Sequence, residues 1–166
     1  TLHSNSMHEA LLRVPFVMVG FHGVQVPPRK VSFPLHLKDV VPTFLSAAGL
    51  PFKNLTGRDL LLSHLKETPH ISRWMHHLAV RIGTWKLLAD MQSGGGVKLL
   101  ALYDLAADPA EQQNRLADVP ADAPMKKLSQ MAELASQQET DFDRSALVGS
   151  SAVRLALLKE MGYVDD

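Results

Sequence analysis

Cysteine is absent from this sequence, so no disulfide, thiolate nucleophile or cysteine-ligated zinc can be built from it. An excess of charge is missing too: 17 basic residues face 17 acidic ones, and no stretch gathers Lys or Arg into the stripe that follows a phosphate backbone. Nucleic acid is therefore not an expected partner. No apolar run approaches the roughly 20 residues that cross a bilayer, and the first residues carry no charged stretch followed by a hydrophobic one of signal-peptide type. What remains is ordinary globular material. With 46% hydrophobic and 20% charged residues over 166 positions, the chain is long enough to bury a core.

The pattern of residues divides the chain into two grammars. "VPFVMVGF" (Val14 to Phe21) is almost wholly apolar and rich in Val and Phe, which predicts a strand covered on both faces. "GVQVPPRKVSFPLHL" contains Pro27, Pro28 and Pro34, which exclude a helix interior and leave an extended loop with an edge strand near Val31 to Phe33. In "KDVVPTFLSAAGLP", Asp39 stands at an N-cap, Pro42 falls in the first turn and Gly49 ends the run, so a short helix is expected with Val41, Phe44, Leu45 and Ala48 on its packed face. "NLTGRDLLLSHLKETPH" reads as a turn at Gly57 and a brief helical stretch before Pro69.

From Arg73 onward the sequence changes to strand-like runs. Gly83-Thr84 marks one turn and Ser93 to Gly96 a looser hairpin loop, so a small antiparallel sheet is expected. A helix from Pro124 to Gln138 follows, with Met125, Leu128, Met131, Ala132 and Ala135 on one stripe. A second is expected from Ser151 to Met161, ending at Gly162.

Several of these pieces, in order and spacing, resemble the C-terminal part of sulfatases, members of the alkaline phosphatase superfamily. They are "SMHEALLRVPFVMVG", "LKDVVPTFLSAAGLP", "TGRDLL", "AVRIGTWKLL" and "LYDLAADPAEQQNRLAD", and the ending "LLKEMGYVDD" is similar to that of bacterial members. Each is short, and five in order cover nearly the whole chain. The resemblance implies an α/β fold overall, α+β within this chain: residues 1–68 as the end of the catalytic domain, 69–140 as a subdomain of antiparallel sheet plus helix, and 141–166 as a helical tail. It implies a hydrolase of sulfate esters, on a small molecule or a glycan, using a formylglycine nucleophile and a divalent metal, calcium or magnesium. The C/S-x-P-x-R motif that yields formylglycine and the acidic metal ligands do not occur here, so both are expected in upstream sequence, and this chain alone is expected to be inactive. A bacterial, periplasmic or otherwise extracytoplasmic setting is implied as well.

One substrate contact is implied within the chain. The position at which many sulfatases carry a sulfate-binding Lys, five residues before a Glu, is Ser4 counting back from Glu9. A membrane-associated branch of the family instead has His-Gly/Ser-x-Ser-Leu-Tyr-Glu, and "HSNSMHE" is similar to that pattern with His3 in the His place. His3 is thus the candidate donor to a sulfate or phosphate oxygen, and His8, in the Tyr place, is a wall or packing residue. A phosphoesterase or phosphotransferase of the same superfamily is the neighbouring alternative. A noncatalytic module, pairing with a partner or with a second copy through the two amphipathic helices, is the distant one.

Other candidates weaken on inspection. His76 and His77 suggest a metal site, but adjacent residues on a strand point to opposite faces. "GGGVK" at Gly94 to Lys98 lacks the G-x-x-x-x-G-K-S/T spacing of a phosphate loop. Asp104, Asp108 and Glu111 are better explained as turn and helix-start residues than as a calcium loop. Arg13 and Asp39 are expected to be paired or capping groups, and Trp74 and Trp85 core or subdomain-interface residues.

Overall fold

The computed structural model describes residues 6–20, 23–51, 53, 55–62 and 64–137. Their elements are α1 (Glu9–Leu12), a 3-10 turn (Leu37–Asp39) running into α2 (Val40–Ala47), four strands β1 (His70–Trp74), β2 (His77–Ile82), β3 (Trp85–Met91) and β4 (Val97–Asp104), and α3 (Met125–Gln137). The fold is α+β. The strands form one antiparallel sheet in sequence order, β1-β2-β3-β4, as the closely spaced turns require.

Both expected turns are where the sequence places them. Gly83, at the β2–β3 turn, has φ of 59°, a left-handed conformation that side chains resist. A Cβ there would meet nothing within 4 Å, so Gly83→Ala is expected to cost about 1 kcal/mol from backbone strain alone, measured as a shift in the denaturation midpoint. In the longer loop, Gln92 N–H donates to Gly96 O at 3.0 Å, and Gly95 and Gly96 take φ of 92° and 79°.

Two layers cover the sheet, one on each face. α3 lays Leu128 and Ala132 against Val80, Leu87 and Leu102, using the expected stripe, with Met125 and Met131 packed at its margin. Opposite, Met7 packs with Ala79, Leu88, Ala101 and Tyr103. Because both faces are covered, β2 buries Leu78, Ala79 and Val80 in succession rather than alternating. The segment after β4 closes that edge: Leu102 N–H donates to Asn114 Oδ1 at 3.1 Å, Asn114 Nδ2 donates to Leu100 O at 3.1 Å, and Arg115 N–H donates to Leu102 O at 2.7 Å. A side-chain amide that mimics a strand partner satisfies groups an edge would leave open.

The first half departs from expectation in four places. The part of the apolar run that is described, Val14 to Gly20, forms no strand, and Val17 is 84% exposed; a strand of that type needs neighbours on both edges, and no described segment pairs with it. Val31 to Phe33 is likewise not a strand, and the described residues of the stretch before Pro69 make turns rather than a helix. α2 forms, with Gly49 at φ of 67° beyond its end, but it buries Pro42 and Thr43 and exposes Val41 and Phe44. Thr43 decides that rotation, since its hydroxyl donates to Asp39 O at 2.6 Å and accepts from Leu60 N–H at 2.9 Å. Trp85 is buried, whereas Trp74 is exposed at the sheet edge. The expected helix from Ser151 to Met161 lies outside the described residues.

Candidate functional site

Glu9 is the point at which the N-terminal segment is fixed to the sheet. Arg81 and Lys86 are Cα partners across the β2–β3 hairpin, so both side chains project from the face that carries Met7. Glu9 Oε1 accepts from Lys86 Nζ at 2.9 Å and Oε2 from Arg81 Nη1 at 3.1 Å. Lys86 Nζ also lies 2.8 Å from Glu111 Oε1, and Glu111 Oε2 accepts the Glu9 backbone N–H at 2.5 Å. Lys86 and Glu111 are almost wholly removed from water, where a charge persists only if paired. Two carboxylates and two cations are thus paired in one cluster, with Glu111 Oε1 facing the Lys86 ammonium as an ion pair and making no hydrogen bond of its own. Glu111 was expected at the start of a helical turn; it instead adopts φ of 55°, a strained backbone state held by the ion pair it makes.

The residues just before Glu9 are held as well. Ser6 Oγ is hydrogen-bonded to His8 Nδ1 and accepts from His8 N–H at 3.2 Å, and the His8 ring tilts against Tyr103 with centroids 5.8 Å apart. Burial, with Glu111 and Asp108 adding, pushes the Tyr103 hydroxyl up from its ordinary value. His3 lies outside the described residues, six positions before this anchor.

A second polar centre joins α2 to β1. Asp39 is fully buried; its Oδ1 accepts from Arg58 N–H at 2.8 Å, and its Oδ2 from Arg58 Nη2 at 2.7 Å, Arg58 Nε at 3.2 Å and His36 N–H at 3.2 Å. Burial pushes the carboxyl up, but the hydrogen bonds from the Arg58 side chain, Arg58 backbone and His36 backbone outweigh it, and the net shift is below the ordinary value. Asp39 is therefore a paired anchor, with its side chain turned from the α2 N–H groups. His36 stacks on His70, centroids 3.8 Å apart and planes 10° from parallel. Burial, then the neighbouring His36 and Arg81, push His70 down to about 4, against the pull of Glu9 and Asp39. His36 is lowered too, first by burial and then by Lys38.

This anchored segment, with a meander closed by an Asn-Arg loop, is the setting in which the sequence comparisons apply. No family profile matches the chain. Arylsulfatase K of Bos taurus is 34% identical over a 134-residue alignment covering 69% of this chain and 24% of the bovine protein. Arylsulfatase K of Homo sapiens is 32% identical over 128 residues, covering 66% of this chain and 23% of the human protein.

The chain belongs to the sulfatase family.

It spans about a quarter of the length of the curated sulfatases it matches, and those matches agree with its being a C-terminal part of the family's sequence. They also correct one expectation: these relatives are mammalian, so the bacterial setting inferred from the terminal "LLKEMGYVDD" is withdrawn. The calcium or magnesium implied by a sulfatase takes hard oxygen donors. Among the described residues, the donors that converge in a group of three are His76, His77 and Asp90, an imidazole-rich set that does not fit such an ion. The C/S-x-P-x-R motif is likewise not present in the chain.

Of the residues singled out by sequence, Asp39 and His8 are accounted for, and His3 falls outside the described part. The Glu9–Lys86–Glu111–Arg81 cluster was missed. A lysine inside the apolar run "TWKLLA" is the signal that could have exposed it, since a strand covered on both faces cannot carry a cation without a partner.

Proposed function

We propose that this chain is the C-terminal part of a sulfate-ester hydrolase whose formylglycine and divalent metal are supplied by upstream sequence. The observation that carries this reading is the identity with arylsulfatase K at 34% and 32%. The exposed apolar run Val14 to Gly20 supports it, because an unpaired strand-type sequence fits a chain whose sheet neighbours lie in the rest of the protein. The substrate class is a sulfate ester of a small molecule or glycan. His3 donates to a substrate oxygen, and its imidazolium stabilises the charge that builds on the leaving oxygen. The Glu9 cluster serves this role indirectly by fixing where the segment leaves the sheet.

Incubated with an aryl sulfate or an aryl phosphate and with calcium, magnesium or manganese, the 166-residue chain is expected to show no turnover. The longer protein that contains it is expected to hydrolyse the sulfate, with His3→Ala lowering kcat by about 100-fold. Metal-dependent turnover by the chain alone would sink the proposal. Preference of the longer protein for the phosphate would favour the phosphoesterase reading, and silence toward both would favour a noncatalytic module.

A further inference from the structure

The adjacent histidines His76 and His77 do not alternate across a strand, because His76 is not in one. Met75 and His76 form the two-residue turn between β1 and β2, and Met75 takes φ of 53°. That backbone swings His76 over its neighbour, with ring centroids 3.9 Å apart. The turn is pinned from behind, since Met91 N–H donates to His76 O at 2.7 Å. Sheet register then adds a carboxylate. His77 is the Cα partner of Asp90, and His77 Nδ1 and Asp90 Oδ1 are 2.7 Å apart. One donor atom from each of His76, His77 and Asp90 lies within 4.8 Å of the others. Lys98 is Asp90's partner on β4, but the Asp90 carboxylate turns to His77.

We infer that His76, His77 and Asp90 form a surface site for a borderline divalent transition ion of the zinc type. Two imidazoles and one carboxylate select such an ion over calcium or magnesium, which take oxygen shells. Two donors each about 2.0 Å from a tetrahedral centre stand about 3.3 Å apart, so the ion takes the place of the proton between His77 Nδ1 and Asp90 Oδ1 with a small opening of that pair. The single N–H of the neutral ring moves to Nε2, and no net proton is lost from it. His76 is exposed, which leaves the fourth position open to water or to a donor from another molecule. The site lies on the hairpin end and is independent of the metal assigned to upstream sequence.

The test is titration of the metal-free, tag-free chain with zinc chloride by calorimetry, alongside thermal unfolding with zinc, calcium or magnesium. One zinc per chain is expected, with a rise in Tm that calcium and magnesium do not produce. His76→Gln, His77→Gln and Asp90→Asn are each expected to weaken binding at least 10-fold, whereas His64→Gln, at an exposed histidine elsewhere, leaves it unchanged. His76→Gln is the decisive variant: its side chain is at the surface, so the zinc-free Tm stays at the wild-type value while the zinc-dependent rise disappears. Absence of zinc binding by the wild type, an undiminished affinity in the three variants, or an equal response to calcium would each overturn the assignment.

Discussion

Lys86→Met is expected to destabilise the chain by about 3–5 kcal/mol, the cost of removing one partner from a buried ion cluster. The wild-type ammonium faces both Glu9 at 2.9 Å and Glu111 at 2.8 Å. Methionine fills much of the same volume, so the loss comes from stranded charge rather than from a cavity. Glu111 suffers most, being almost wholly buried and left with the Glu9 N–H as its hydrogen-bond donor; Glu9 keeps Arg81. Combining Lys86→Met with Glu111→Gln removes the stranded charge while Glu9 keeps Arg81, and is expected to recover a large part of the loss, because neutral groups of similar shape can replace a buried ion pair at little net cost. Urea unfolding of the single and double variants measures both quantities. A single-variant loss below about 1 kcal/mol would show that water already screens the cluster.

Acidification is expected to weaken the fold through His70. His70 is pushed down to about 4 from an ordinary 6.5, with burial the largest cause. Between those values the unfolded chain binds a proton that the folded chain refuses, so stability is complete above about pH 6.5 and falls as the pH drops toward 4. With about 1.4 kcal/mol per unit, and a discount for partial contact with water, His70 accounts for a loss on the order of 2–3 kcal/mol. The stacked His36 is lowered as well and acts in the same direction. Beneath this window Asp39 takes over: its carboxyl is held below its ordinary 3.8, so the stability of its pairing with Arg58 is present above that value and is lost as the pH falls further. Stability measured from pH 7 to 4 for wild type and His70→Gln checks the first part. The variant's curve is expected to be flatter, and parallel curves would remove His70 from the account.

The second half of the chain was legible because its structure is local. Glycines at 83, 95 and 96 force turns that few other residues tolerate, and the α3 stripe has the helical period, so the sheet and its helix could be read from short windows. The first half was not legible on those terms. Val14 to Gly20 has the composition of a central strand, yet composition cannot supply the neighbours a central strand requires. α2 was placed correctly and rotated wrongly, because hydrophobicity pointed to Val41 and Phe44 whereas the hydroxyl of Thr43 ties the helix to Asp39 and Leu60. The polar centres were hidden for a related reason. Glu9, Lys86 and Glu111 come together through register and loop closure, and His76 was judged by strand alternation when two residues of turn had already broken it. The sulfatase resemblance survived these errors because it rests on the order of whole segments.

The Glu9 clasp also has a consequence for the order in which the protein takes shape. The meander pairs neighbours in sequence, so its hairpins can close as soon as they are made. The clasp cannot: Glu9 reaches Arg81, Lys86 and Glu111 across separations of 72, 77 and 102 residues. Loop closure over such lengths is deferred until the receiving surface exists. During synthesis the residues around Glu9 emerge well before the lysine and glutamate that hold them, and are fixed only once those have arrived. Any chemistry that depends on the placement of this segment is thereby tied to completion of the sheet, and a chain that stops short of Glu111 carries the segment without the means to hold it.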